Sequence, residues 1–209
     1  MSDGLSRVLL LRHAETAVPD VFHGAESDVG LSERGLRQAR AIGPTLAAWM
    51  PTVVVSSAMR RAVATAEPIA VACRVELHIE SDLHERRVGP LSGQPFDALD
   101  GLWPETLRRW IGGDTAFAPE GMESFDDIGR RVLPVWRRLA EAHLGKTYIM
   151  VAHGIVIKVL LFSLNMGWSA SDWNAFRSHH LGIHEVVGQN GRWRLEQTGY
   201  VPEAVRLVR

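Results

Sequence analysis

Three things are nearly missing from this 209-residue chain: cysteine, net charge and an uninterrupted apolar run. The one cysteine, Cys73, rules out an intrachain disulfide and reads as a small core residue in a reducing compartment. With 23 Lys and Arg against 24 Asp and Glu, the net charge is −1, so the molecule as a whole has no field to draw it to nucleic acid or a membrane surface. Any anion site must be a local arrangement of charges. The longest apolar region, 148–164, is broken by His153, Gly154 and Lys158 and falls short of the ~20 residues a membrane helix needs. Residues 1–4 carry no basic stretch of the kind that opens a secretory leader. A cytoplasmic protein with no membrane and no nucleic-acid partner is expected.

Metal and nucleotide signatures also fall short. His84-Glu85-Arg86-Arg87-Val88 lacks the second histidine of a zinc-protease helix. Gly145-Lys146-Thr147 has Ala140 where a nucleotide-binding loop has its first glycine, and it precedes a strand where that loop would follow one. His179, His180 and His184 come without a matching carboxylate or cysteine set. Neither a metal nor a cofactor is expected, and neither a repeat nor a low-complexity segment is present.

What is there is an alternation. Arg7 to Leu11 is a short, continuous apolar strand of the kind buried on both faces of a parallel sheet. A loop with Pro19, Gly24 and Gly30 follows, then a helix capped by Ser32 and running through Trp49, with Leu36, Ala39, Ile42, Gly43 and Leu46 on one face. Thr52 to Ser56 is a second strand, a helix spans about Met59 to Cys73, and Val75 to Ile79 is a third strand. After the polar stretch 80–93 the alternation stops. Residues 94–123 mix Pro95, Pro104 and Pro119 with Phe96, Leu99, Leu102, Trp103, Leu107, Trp110 and Phe117, which predicts an inserted helix from about Asp100 to Ile111 and a lid. Ser124-Phe125-Asp126-Asp127 has the form of a capping box, opening a helix through His143. Lys146 to Ala152 is a fourth strand, a helix runs from Gly154 to about Asn165, and Ile183–Val187 with Trp193–Gln197 form a final hairpin. The fold class is α/β: a three-layer α/β/α sandwich with a mostly parallel central sheet, one domain over 1–209 and a small lid inserted at about 94–123.

In an open α/β sheet, ligands bind outside the carboxyl ends of the strands. His13, Ser56-Ser57, Glu85 and His153 all fall there, with Arg12 and Arg61 in the same class of position. Two apolar strands that each end in histidine, flanked by arginines, describe a cationic pocket suited to a phosphoryl group.

Five ordered motifs carry a resemblance. They are Arg12-His13-Ala14-Glu15, Leu31-Ser32-Glu33-Arg34-Gly35 with Gln38-Ala39, Ser56-Ser57 continuing to Arg61-Ala62 and Thr65-Ala66, Leu83-His84-Glu85 with Gly89, and Val151-Ala152-His153-Gly154; Pro119 to Ser124 is also similar. Over about residues 7–190 the chain resembles the histidine phosphatase (phosphoglycerate mutase-like) superfamily, on its phosphatase branch. The resemblance implies His13 as a nucleophile forming a phosphohistidine that water hydrolyses. It implies Arg12 and Arg61 as cations that bind the phosphoryl oxygens and depress the pKa of His13, His153 as a further phosphoryl donor, and Glu85 as proton donor and then base. Arg61 takes the family position directly before Ala62, and Arg60 is left at the surface. Gly154, opening a helix behind His153, would aim free N–H groups at the anion.

Substrate contacts are thus expected of Arg12, Arg61, His153, Gly154, Thr16 and His23. His23 is included because Pro19 stands where the family often has a phosphate-contacting asparagine. Ala14 replaces the usual glycine, so the turn after His13 must accommodate a Cβ. The partner is a small phosphorylated molecule; the sequence leaves the oligomeric state open. The favoured activity is hydrolysis of small-molecule phosphate monoesters. The alternatives are a cofactor-dependent phosphoglycerate mutase, for which Arg108-Arg109 would clamp a second anionic group, and a non-catalytic phosphate-binding protein. Trp103, Trp110, Phe117 and Met122 would line the lid or close a small core.

Overall fold

Strand β1 (Ser6–Arg12) sends Val8 and Leu10 to one side of the sheet and Leu9 and Leu11 to the other, and all four are buried. That is the pattern of a strand covered on both faces. The computed structural model describes residues 4–96, 101–189 and 191–208. Around β1 lies a six-stranded sheet. On one side come β4 (Thr147–Ala152), then β2 (Val54–Ser57), then β3 (Leu77–Glu80) at the edge; on the other come β5 (Ile183–Gln189) and β6 (Arg192–Tyr200). The β1–β4, β4–β2 and β2–β3 pairs are parallel, and the β1–β5 and β5–β6 pairs antiparallel. The sheet is therefore mostly parallel, with the expected hairpin added at one edge.

Helices α1 (Glu33–Ala47) and α2 (Arg60–Cys73) cover the face of Leu9, Leu11, Val54, Ile149 and Val151. On the opposite face, Val8, Leu10, Val55, Tyr148 and Met150 meet α4 (Phe125–Ala142), α5 (Gly154–Ser163) and Trp110 from α3 (Leu102–Ile111). Ser32 caps α1 by accepting the Gly35 N–H at 2.9 Å, and Ser124 and Asp127 form the predicted capping box of α4. No helix among the described residues is long and apolar enough to cross a membrane.

The segment expected to be a lid turns out to be divided. Leu99 and Asp100 lie outside the described residues, and α3 begins at Leu102. Trp110 is fully buried in the larger core, with its Nε1–H donated to the Phe117 carbonyl at 2.9 Å. Met122 packs on Val88 and Leu91. Trp103 alone of the four lid residues singled out from the sequence faces a cavity, joined there by Phe96. The hydrophobic pattern of α3 is that of a helix packed on a core, and only its first turn reaches the cavity.

Candidate active site

Strand register brings the two histidines together. In the parallel β1–β4 pair Arg12 stands opposite Ala152, so the next residues along, His13 and His153, leave the sheet side by side. The His13 N–H extends the ladder by donating to the Ala152 carbonyl at 3.0 Å, and the two imidazole centroids are 5.2 Å apart. His13 Nδ1 lies 2.8 Å from the Ala14 carbonyl. A carbonyl only accepts, so Nδ1 carries the hydrogen and Nε2 keeps its lone pair. His153 Nε2 is 2.9 Å from the Ser57 hydroxyl at the end of β2. Ala14, where a glycine was usual, has no positive φ; it is buried and donates its N–H to Thr65 Oγ1 at 3.0 Å. The next turn packs so closely on α1 that a Cβ at Gly35 would stand 2.1 Å from the Glu15 carbonyl oxygen. Glu15 in turn accepts from Ser32 Oγ at 2.7 Å and from Arg34 at 2.6 Å.

Both histidines are held well below the usual imidazole pKa. For His13 burial is the largest cause, followed by His153, Arg12, Arg61 and His180; for His153 it is burial, then Arg61 and Arg12. The arginines thus act in the expected direction, but desolvation leads. Burial also brings His180 and His184 down to about 4. Unfolded, each of these four takes a proton near the ordinary value of 6.5; folded, each resists it. The native state then binds fewer protons as pH drops below about 6.5, so acid favours unfolding, by up to about 1.4 kcal/mol per pH unit for each histidine. Thermal unfolding followed from pH 8 to pH 5 should show a steady Tm above about 6.5 and a falling one below it. A flat profile would contradict these four buried neutral rings.

Arg61 is fully buried at the start of α2, where its Nη1 donates to Ser27 O at 2.8 Å and Nη2 to Gly24 O at 3.3 Å. Its Nε has no partner. The 17–30 loop thereby clamps the guanidinium. Arg12 donates Nη1 to Ser178 O at 3.0 Å, and its buried Nε is also without a partner. Two buried guanidinium N–H groups left open beside two neutral imidazoles are donors in want of an anion. Glu85 is buried as well; Oε1 accepts the Arg86 N–H at 2.9 Å and Oε2 the Ile155 N–H at 3.4 Å. The first turn of α5 therefore gives one of its free N–H groups to Glu85, where the sequence had suggested the anion alone.

A cavity of about 420 Å³ opens over this cluster. Arg12, His13, Thr16, His23, Glu85 and Gly154 line it; Arg61 and His153 do not, and stand behind its wall. Thr16 Oγ1 donates to the Val18 carbonyl at 3.2 Å. His23 has both ring nitrogens engaged, Nε2 with Val18 O and Nδ1 with Ser27 Oγ, each at 2.8 Å. Arg108 and Arg109 do not reach the cavity: the first pairs with Glu105 and the second with Asp114, so the clamp imagined for a second anion is absent from α3. In their place the cavity wall carries Lys158, Arg177 and His180. His180 packs 5.3 Å from the His13 ring and donates Nδ1–H to the His13 carbonyl at 2.9 Å. The sequence offered it only as part of a histidine group without metal-site spacing. Its signal is structural: Leu181, with φ of +54°, turns the chain so that its N–H meets the Arg12 carbonyl at 3.0 Å.

Residues 8–200 match the sequence profile of the histidine phosphatase superfamily (branch 1). The chain belongs to that superfamily. Among its relatives, a Mycobacterium tuberculosis protein named as bifunctional is 34% identical over 204 residues, covering 94% of this chain and 55% of its own length. The chain thus spans about half the length of the first curated relatives it matches. A Yersinia pestis relative, named as a probable phosphoglycerate mutase, is 29% identical over 193 residues, covering 90% of this chain and 87% of its own. Among solved structures, the mycobacterial glucosyl-3-phosphoglycerate phosphatase superposes with a TM-score of 0.81 at 27% identity, over 94% of this chain and all of that one.

Proposed function

We propose that the chain is a phosphoric monoester hydrolase that acts on small phosphate esters through a phosphohistidine on His13. The observation that carries this reading is the state of His13: neutral, with Nε2 free, and flanked by guanidinium groups whose Nε–H donors lack partners. Nε2 attacks phosphorus and the ester P–O bond breaks. Glu85 gives its proton to the departing oxygen, while Arg12 at the cavity wall, with Arg61 and His153 set just behind it, provides the donors for the phosphoryl oxygens. Water then attacks the phosphohistidine and gives its proton to Glu85, and the P–N bond breaks to release inorganic phosphate and neutral His13. Gly154, Thr16 and His23 bound the substrate space. The charge is supplied by arginine, so the reaction needs no divalent metal. The two cores share one sheet, which supports a single domain, and lone, half-buried Cys73 fits a cytoplasmic enzyme.

Phosphatase activity assayed on a panel of small esters in chelator tests this, together with the recovery of acid-labile, alkali-stable phosphate on His13. Loss of turnover in chelator would overturn the metal-free route. A trapped phosphohistidine that water leaves intact would favour phosphoryl transfer to a second substrate, the activity named for the Yersinia pestis relative. Glu85→Gln should lower kcat/KM on alkyl phosphates by about 10²–10³-fold and hardly affect kcat/KM on p-nitrophenyl phosphate, whose leaving oxygen needs no proton. Equal loss on both would assign Glu85 another role.

A further inference from the structure

The cavity extends beyond the space a phosphoryl group needs, and α5 sets what lies there. Gly154 opens this helix against Arg12, with the Arg12 Nε 3.5 Å from where a Cβ would stand. Lys158 follows four residues on, on the same face and about 6 Å further along the axis. Both residues line the cavity. Lys158 donates Nζ–H to the Trp173 carbonyl at 2.8 Å and sits 4.6 Å from the centre of the Trp173 ring. Among the described residues neither Lys158 nor its cavity neighbour Arg177 forms an ion pair with a carboxylate. Burial, with Arg177 and Arg12 nearby, brings the Lys158 ammonium down to about 8. An ammonium half-withdrawn from water among like charges is destabilised until an anion joins it. Across the cavity the wall is apolar, built from Phe22, Phe96 and Trp103. Among the described residues lining the cavity Glu85 is the one carboxylate, and the α3 arginines are engaged elsewhere.

We propose that Lys158, with Arg177 beside it, binds a second anionic group of the substrate, so that the preferred esters carry a carboxylate or a second phosphoryl group about one helical turn from the phosphoryl being transferred. This rests on the phosphatase reading and adds the class of alcohol. The bland alternative is that Lys158 only tethers the Trp173 carbonyl, in which case its loss would act on every substrate alike.

The test compares kcat/KM of the wild type, Lys158→Met and Lys158→Arg on three esters. Propyl phosphate is uncharged at its far end, 3-phosphooxypropanoate adds a carboxylate there, and 1,3-propanediol bisphosphate adds a phosphoryl group. The wild type is expected to favour at least one charged ester over propyl phosphate by about tenfold, and which one it favours identifies the group. Lys158→Met, which keeps the apolar stem, should lose that preference with propyl phosphate turnover held within about twofold, and Lys158→Arg should retain it. Equal losses on all three esters, or a preference that survives in Lys158→Met, would overturn the proposal. Failure of the wild type to turn over propyl phosphate while it hydrolyses a charged ester supports it. Failure on all three overturns the phosphatase reading itself, and the subsite with it.

Discussion

His13→Ala is expected to lower turnover of small phosphate esters by about 10⁴-fold or more, and to leave no acid-labile phosphate on the protein. Neither imidazole packed against its ring is placed to replace it. His153 stands behind the cavity wall with Nε2 engaged by Ser57, and His180 is directed by its bond to the His13 carbonyl. The fold should survive the change. The His13 backbone N–H still reaches Ala152, the Ala14 N–H still reaches Thr65, and only the ring's bond to the Ala14 carbonyl is lost. At pH 8 the variant should therefore unfold close to the wild-type temperature, and in acid it should be less sensitive, since one histidine that resists protonation is gone. Activity within about tenfold of wild type would place the nucleophile elsewhere, because removing an attacking group from a covalent mechanism cannot cost so little.

The histidines at the heart of this site were legible because strands announce themselves. Runs such as Val8 to Leu11 and Tyr148 to Ala152 are too apolar to be anything but buried, and a histidine directly after each must lie at a sheet edge. That those two strands are neighbours was not legible from the runs alone. Pairing order depends on long-range packing, and the motif resemblance supplied the link that local pattern lacks. Lys158 was within reach of the sequence: it lies four residues after Gly154, and i, i+4 spacing on a helix puts both on one face. His180 was not, because its place depends on the left-handed turn at Leu181 and on hydrogen bonds to β1. Arg108 and Arg109 misled for a related reason. A pair of arginines in an insert reads as an anion clamp, whereas Glu105 and Asp114, three and five residues away from their partners, neutralise them locally.

Trp110→Ala is expected to cost about 3–5 kcal/mol of stability, the range for truncating a large aromatic in a packed core. Trp110 packs edge-on against Trp103, Trp173 and Phe125, with ring centroids at 6.0, 5.5 and 5.8 Å. Its indole N–H satisfies the Phe117 carbonyl, and its face receives the Arg86 guanidinium at 4.7 Å. Arg86 is fully buried with both Nη atoms unpartnered and its Nε–H donated to the Glu123 carbonyl at 2.7 Å, so the tryptophan faces cover the part of the guanidinium that lacks hydrogen bonds. Truncation would thus add an uncaged cation to the cavity it creates. Urea unfolding should show the midpoint falling with the slope unchanged, since the loss is in the native state. A mobile lid predicts the opposite outcome, a midpoint that stays put and a KM that moves; Trp103→Ala, at the cavity wall, is the position where KM should move. The damage should also reach catalysis. The Arg86 N–H holds Glu85 Oε1 at 2.9 Å, so an Arg86 released from its cage loosens the carboxylate that serves as acid and base, and kcat should fall together with stability.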